Sequence, residues 1–457
     1  DANRLQQALS FFDSQRKVEI LPHFDVSPYS GLYPKSQTVS ERLRFLFYAQ
    51  NAKPGDIFIA PVGSLQQKTL PFELLKKYSR TYRKDDDLPS DINEELSKLG
   101  YLSSPLVEDV GQYSMRGGIL DVFSPAHAFP VRVELFGDTV ESLRSFSPVD
   151  QRSLEDLKQF DLIPCKETLF EDENLDHIIS SFRDSLKGRP VDKTEGEEML
   201  RSLVRGQYFP GIEFLIPFFY KKPASPLDHF SSTLNLWILD PMEISRQSDN
   251  LIAEMKSDFS SANSHVIRPD IEGLYSPFEE LEFPEDSLHI QWAAIDTEDA
   301  SEKNEYVKIP YSTHNVMDLS NLLTSQIPGN ELWLAALEKK LSQWKSEDYS
   351  IFVSIKNKSQ AERLRIFLEK IDWTTEIISS EDLTKNGELW QTWKDRQGGK
   401  TVHVISRPLP ESLRLPEENL ILLREEELLG KKQRSKEYSA SEDFQKKAKR
   451  LAFGDLK

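Results

Sequence analysis

A single cysteine, Cys165, stands among 457 residues, so no disulfide can close within the chain and no cysteine cluster can hold a metal. It reads as a lone buried thiol. Long apolar runs are also missing: none approaches the about 18 residues that crossing a bilayer requires. The opening DANRLQQALSFFDSQ has the pattern of a charged amphipathic helix, not of a signal peptide. These absences point to a cytoplasmic chain with no membrane partner. Basic charge is in short supply: 57 Lys and Arg against 75 Asp and Glu leave a formal net charge of -18. A chain that clings to nucleic acid with its whole surface is therefore excluded, because phosphate binding needs a basic footprint. The acidity reads as solubility, with room left for a local basic patch.

Catalytic signatures are missing as well. A phosphate-binding loop places a Gly four residues before Gly-Lys-Ser/Thr, so that backbone amides cradle the phosphate. The one Gly-Lys-Thr is Gly399-Lys400-Thr401; the position of the leading Gly is Lys394, and the segment precedes a predicted strand, not a helix. Asp240 follows an apolar strand, as a magnesium-binding Asp would, but Pro241 takes the place of the expected acidic neighbour. The eight histidines lack metal-ligand spacing, and there is no Gly-x-Ser-x-Gly elbow. Asp85–Asp87 reads as a solvated loop, since no further ligands stand near it.

What is present is enough to fold. Hydrophobic residues make up 38% of the chain and aromatics 10%, and the length suggests about three domains. Helix and strand alternate at the start: Leu5, Leu9, Phe11 and Phe12 form a helix face, Lys17–Leu21 and Asp56–Val62 are short strands with a parallel arrangement expected, and Glu41–Gln50 is a helix. Residues 91–100 form a helix stopped by Gly100, followed by a β-rich block to about residue 160. Asp176–Leu186 and Glu197–Val204 are predicted helices, Ser231–Ile238 a buried strand, and 268–330 loops and strand pieces. Alternation returns with helix Glu331–Trp344, strand Tyr349–Ser354, helix Ser359–Ile371 and strands Thr401–Ile405 and Asn419–Arg424. The tail Lys431–Lys457 is a charged linker.

The most informative stretch is Gln112–Arg152. Val131, Val133 and Leu135 alternate with Arg132, Glu134 and Phe136, and period two sends the sets to opposite faces of a sheet. One face is aliphatic core. The other mixes a guanidinium, a carboxylate and a phenyl ring, and Arg and aromatic side chains are over-represented at binding hot spots. Gly137-Asp138 fits a two-residue hairpin with Gly first, as a type II′ turn needs. Gly117-Gly118 implies unusual φ or close approach of another chain. Asp121 and Asp138 read as turn and hairpin stabilisers.

The run MRGGILDVF…PVRVELFGDTVESLRSFSP resembles the domain shared by the UvrB repair helicases and the Mfd transcription-repair coupling factors, in which it docks UvrA. ILPHFDVSPYSGLYPKSQTVSERLRFL, IFIAPVGSLQQKTLP, GIEFLIPFFYKKPASPLDHFSSTLNLWILDP, NLILLREEELLGKK and AKRLAFGDLK resemble Mfd segments in the right order. UvrB carries a phosphate loop and a tyrosine-rich hairpin that this chain lacks, so the similarity favours Mfd; a UvrB-like DNA-damage-binding ATPase is the alternative. The resemblance implies an α/β multidomain fold. Residues 1–75 would begin a degenerate helicase-like α/β domain whose first strand and phosphate loop are missing. Residues 76–165 would be an α+β UvrA-binding domain, 166–320 the remainder of the first domain, 321–430 a small α/β domain and 431–457 a linker.

By the same resemblance the chain is an amino-terminal, non-catalytic fragment with no cofactor of its own. ATP and Mg would serve motor domains outside it, through which RNA polymerase and duplex DNA would be reached. The implied partner is UvrA, contacted by Arg116, Arg132 and Phe136 with Glu134, Arg144 and Arg152 at the rim, and Arg116 is expected on a neighbouring strand. An intramolecular contact that restrains the full-length translocase is also implied.

Overall fold

The computed structural model describes residues 2–13, 16–187, 193–231, 233–261, 269–284, 287–292, 309, 311–324, 327–378 and 399–429. They form two compact units, one within Arg16–Glu302 and one within Lys303–Lys457 joined by Asn3–Gln15. Helix and strand content is mixed, with several separate sheets. The expected tail linker lies outside the described residues.

In the first unit, β1 (Val18–Ile20) and β2 (Ile57–Ile59) pair in parallel. Helix Ser36–Gln50 connects them, and its Val39, Leu43, Leu46 and Phe47, at helical spacing, enter a core with Leu21, Phe24, Phe214 and Phe219. β3 (Arg80–Arg83) runs antiparallel to β10 (Gln159–Leu162). Between them lies a six-stranded sheet in sequential order: β4 (Leu102–Ser103), β5 (Gln112–Arg116), β6 (Ile119–Val122), β7 (Val131–Phe136), β8 (Thr139–Phe146) and β9 (Ser153–Asp156). It has its own core, with Leu120, Val131, Val133 and Leu143 packed on Leu96 and Leu99 from the region of helix Ile92–Lys98 and on Tyr82 and Phe160. Cys165 ends this core as expected, buried, its thiol pushed up to about 12 by desolvation.

The stretch expected as a buried strand over 231–238 is β11 (Asn235–Leu239), parallel to β12 (Leu288–Trp292) in a two-stranded sheet. Trp237, Leu239, Leu288 and Trp292 are exposed. An apolar run alone does not tell whether both faces are covered. Asp240, at φ +58, opens helix Pro241–Ser261 by accepting from Glu243 N at 3.2 Å, so its carboxylate serves as a helix cap.

In the second unit, β13 (Ser350–Ser354), β14 (Thr374–Ile378), β15 (Thr401–Ile405) and β17 (Leu420–Arg424) are parallel, and β16 (Leu413–Leu415) is an antiparallel edge, in the order β14-β15-β13-β17-β16. β13 is buried throughout, as a parallel strand covered on both faces must be. One face meets Trp333, Leu337, Leu364 and Leu368. The other meets Phe11 of helix Ala2–Phe12, through Phe352, Ile405 and Leu409. This corrects the expected first domain of residues 1–75: its opening helix packs on the carboxy-terminal sheet. The helical pattern specifies an apolar face, not the sheet that receives it. Gly399-Lys400-Thr401 leads into strand β15, as its sequence context suggested. Among the described residues no helix is long and apolar enough to cross a membrane.

Candidate docking face

β5 to β8 are joined in antiparallel register, so directly opposed residues share a face. One row across the sheet is Ser114, Asp121, Arg132 and Arg144, and the next is Arg116, Ile119, Glu134 and Ser142. Phe136 follows one step along β7. Val131 and Val133 lie buried on the opposite face, as the alternation predicts. The bulge between Glu134 and Leu135 leaves Glu141 without an opposed residue and increases the local twist.

This outer face sets Arg132 directly opposite Arg144, a like-charge pair that would be unfavourable unaided. Two carboxylates separate their allegiances. Arg132 donates from Nε to Asp121 Oδ1 at 2.7 Å and from Nη2 to Oδ2 at 2.9 Å. Arg116 donates from Nη2 to Asp121 Oδ2 at 3.1 Å. Arg144 donates to Glu134, which also accepts from Ser142 Oγ at 2.7 Å. The Arg132 guanidinium lies 4.7 Å from the centre of the buried Phe146 ring, a cation–π contact. The hydrogen bonds from Arg132 to Asp121 raise the guanidinium above its ordinary value. The Arg132 side chain is 21% exposed and that of Arg116 57%, so both retain donors for a partner.

Phe136 is 83% exposed beside the hairpin turn. Gly137 has φ +65 while Asp138 does not take positive φ, consistent with the predicted type II′ turn. The acidic run Asp85–Asp87, expected as a solvated loop, braces this hairpin. Asp87 Oδ1 accepts from Thr139 Oγ1 at 2.6 Å, Asp86 O accepts from Val140 N at 2.8 Å, and Leu88 N donates to Asp138 O at 2.9 Å. The glycine pair at the β5–β6 turn shows the expected unusual φ and, in place of another chain, a close approach by this chain's own backbone. Gly117 has φ +60, whereas Gly118 has the close approach: a Cβ there would stand 2.8 Å from Leu135 O.

The structure therefore brings Arg116, Arg132, Glu134, Phe136 and Arg144 onto one face. Arg152 lies apart, in the loop before β9, where its nearest charge is Asp150 at 3.8 Å. Arg116 is two strands from Arg132, with β6 between them. The residue missed in the sequence is Asp121. It is a strand residue, not a turn stabiliser, and is 1% exposed between the two arginines. The available signal was its place in ILDV, where period two sets it opposite the core residues Leu120 and Val122. Among the described residues no group of His, Cys, Asp and Glu could hold a metal ion.

Comparison with known proteins bears on this same sheet. Residues 83–167 match the family described as the UvrB interaction domain. The chain is 29% identical over 381 residues to a transcription-repair-coupling factor of Myxococcus xanthus, covering 80% of this chain and 31% of that protein. It is 28% identical over 270 residues to the factor of Haemophilus influenzae, covering 59% and 23%. It is 24% identical over 452 residues to that of Staphylococcus haemolyticus, covering 95% and 35%. The chain thus spans about a third or less of the length of these relatives. The chain thus carries a UvrB interaction domain at residues 83–167 and is similar along most of its length to the amino-acid sequences of transcription-repair-coupling factors.

Proposed function

We propose that this chain is a non-catalytic recruitment module that binds UvrA through the outer face of β5–β8, bringing nucleotide excision repair to stalled RNA polymerase. The observation that carries the reading is the exposed Phe136 on the same face of one braced sheet as two arginines, within the residues that match the UvrB interaction domain. An Arg fork pairs with carboxylates while a phenyl ring fills an apolar pocket, the combination found at interface hot spots. The partner surface this chemistry suits is acidic around an apolar recess.

The same reading makes Arg16–Glu302 a degenerate helicase-like α/β domain interrupted by the docking domain, with β1 and β2 as part of its parallel sheet. RNA polymerase, duplex DNA, ATP and Mg would be handled by other domains of a full-length translocase, which this module would also help restrain.

The test is a titration of the chain with UvrA by calorimetry. Phe136→Ala and Arg132→Ala are each expected to weaken binding by about 2 kcal/mol. Wild-type affinity in a folded variant carrying both changes would overturn the assignment.

A further inference from the structure

We infer that Asp121 is the positioning residue of this face, the carboxylate that holds the Arg116 and Arg132 guanidiniums oriented before a partner arrives. The inference rests on the docking reading above. Asp121 is 1% exposed and cannot itself meet a partner. Its strand needs no carboxylate for pairing: Ile119, two residues earlier on the same face, is apolar. Yet a buried carboxylate is costly unless it is paired and hydrogen-bonded. Here both oxygens are engaged by arginines from the strands on either side, β5 and β7, with Arg132 bidentate. Asp121 therefore joins two residues that sheet register alone leaves two strands apart.

Two opposed consequences follow for binding. A fixed guanidinium loses less rotamer freedom on docking, which prolongs the complex. The same carboxylate cancels part of the positive charge that would draw in an acidic partner, which slows encounter. Asp121→Asn removes the charge and offers one acceptor oxygen where the carboxylate offers two. Against UvrA its association rate constant should rise about twofold at low salt, and its dissociation rate constant should rise about tenfold. A residue that merely stabilised the sheet would not split the two rates in this way.

The experiment measures both rate constants by surface plasmon resonance for the wild type, Asp121→Asn, Arg116→Ala/Arg132→Ala, and the triple variant, with circular dichroism to verify folding. In the background lacking both arginines, Asp121→Asn should change affinity less than twofold, because it acts through them. A tenfold loss from Asp121→Asn in that background, or an unchanged dissociation rate in the single variant, would overturn the inference. The Arg132 Nε–H resonance supplies a readout independent of UvrA. Slow hydrogen exchange in the wild-type chain supports the brace, and solvent-like exchange refutes it. Failure of the wild-type chain to bind UvrA would instead overturn the docking reading, with the resonance still deciding whether Asp121 orders the arginines.

Discussion

Arg42 and Glu167 meet with neither side chain exposed, Nε to Oε1 at 2.6 Å, and so tie helix Ser36–Gln50 to the segment that follows β10. Thr69 Oγ1 donates to the second Glu167 oxygen at 2.6 Å, and Arg42 also donates to Pro22 O. Removing one member strands the other without solvent. Glu167→Ala should lower the unfolding free energy of this unit by about 3–5 kcal/mol, while Arg42→Met with Glu167→Leu should recover most of the loss. Urea unfolding of the three proteins checks both directions.

A related asymmetry applies on the docking face. Arg132→Ala leaves Asp121 buried with Arg116 as its remaining cation, and should cost about 1–3 kcal/mol of stability. Adding Asp121→Asn should return part of that stability while leaving UvrA binding weak. A double variant less stable than Arg132→Ala alone would contradict the pairing.

Backbone proximity gives a third expectation. Gly118 O accepts from Leu135 N at 2.7 Å, and an added Cβ would collide with Leu135 O. Gly118→Ala should destabilise the chain by about 1–3 kcal/mol. It should also displace β7 next to Phe136 and weaken UvrA binding, an effect that chemical shifts of the β7 amides would register.

Acid sensitivity follows from two histidines, His229 buried and His23 half-buried. Burial lowers His229 to about 4, and His23 to about 4 with Arg42 adding to the effect. In His229 the neutral ring donates from Nε2 to Leu70 O and accepts at Nδ1 from Gln50 Nε2, each at 3.0 Å. The unfolded imidazole has its ordinary value near 6.5, so the folded state favours the neutral form. This stability is fully present above about pH 6.5, declines as pH falls towards 4, and stays lost below that. Each histidine contributes about 3 kcal/mol at most. Denaturant midpoints between pH 7 and 4 should fall accordingly, and less steeply in His229→Gln.

On the proposed docking, association with UvrA should slow as salt rises, because a contact between arginines and carboxylates is steered by charge. Arg116→Ala should flatten that dependence, since its guanidinium is the more exposed of the two. Stopped-flow rates at about 50 and 300 mM salt would show it. Equal slopes in the variant and the wild type would remove Arg116 from the steering field.

Local periodicity made much of this legible. Thr401–Ile405 is a strand with its predicted bounds, and Arg132, Glu134 and Phe136 share a face because side chains alternate in any extended strand. The turn at Gly137 was legible for the same local reason. What escaped depends on contacts distant in sequence. The Phe11 face of the first helix could have met any apolar sheet, and Trp237 sits in an apolar run whose cover no local pattern reveals. Asp121 acquires its role only once register places Arg116 and Arg132 on either side of it.

The antiparallel pairing of β3 with β10 has one more consequence. Arg80 and Leu162 are direct partners across a single ladder, so the polypeptide enters and leaves the six-stranded sheet at the same doorway. A segment whose two ends stand one strand spacing apart, about 4.8 Å, returns the chain to the point where it left, so the flanking elements meet as though the sheet were a side excursion from one continuous path.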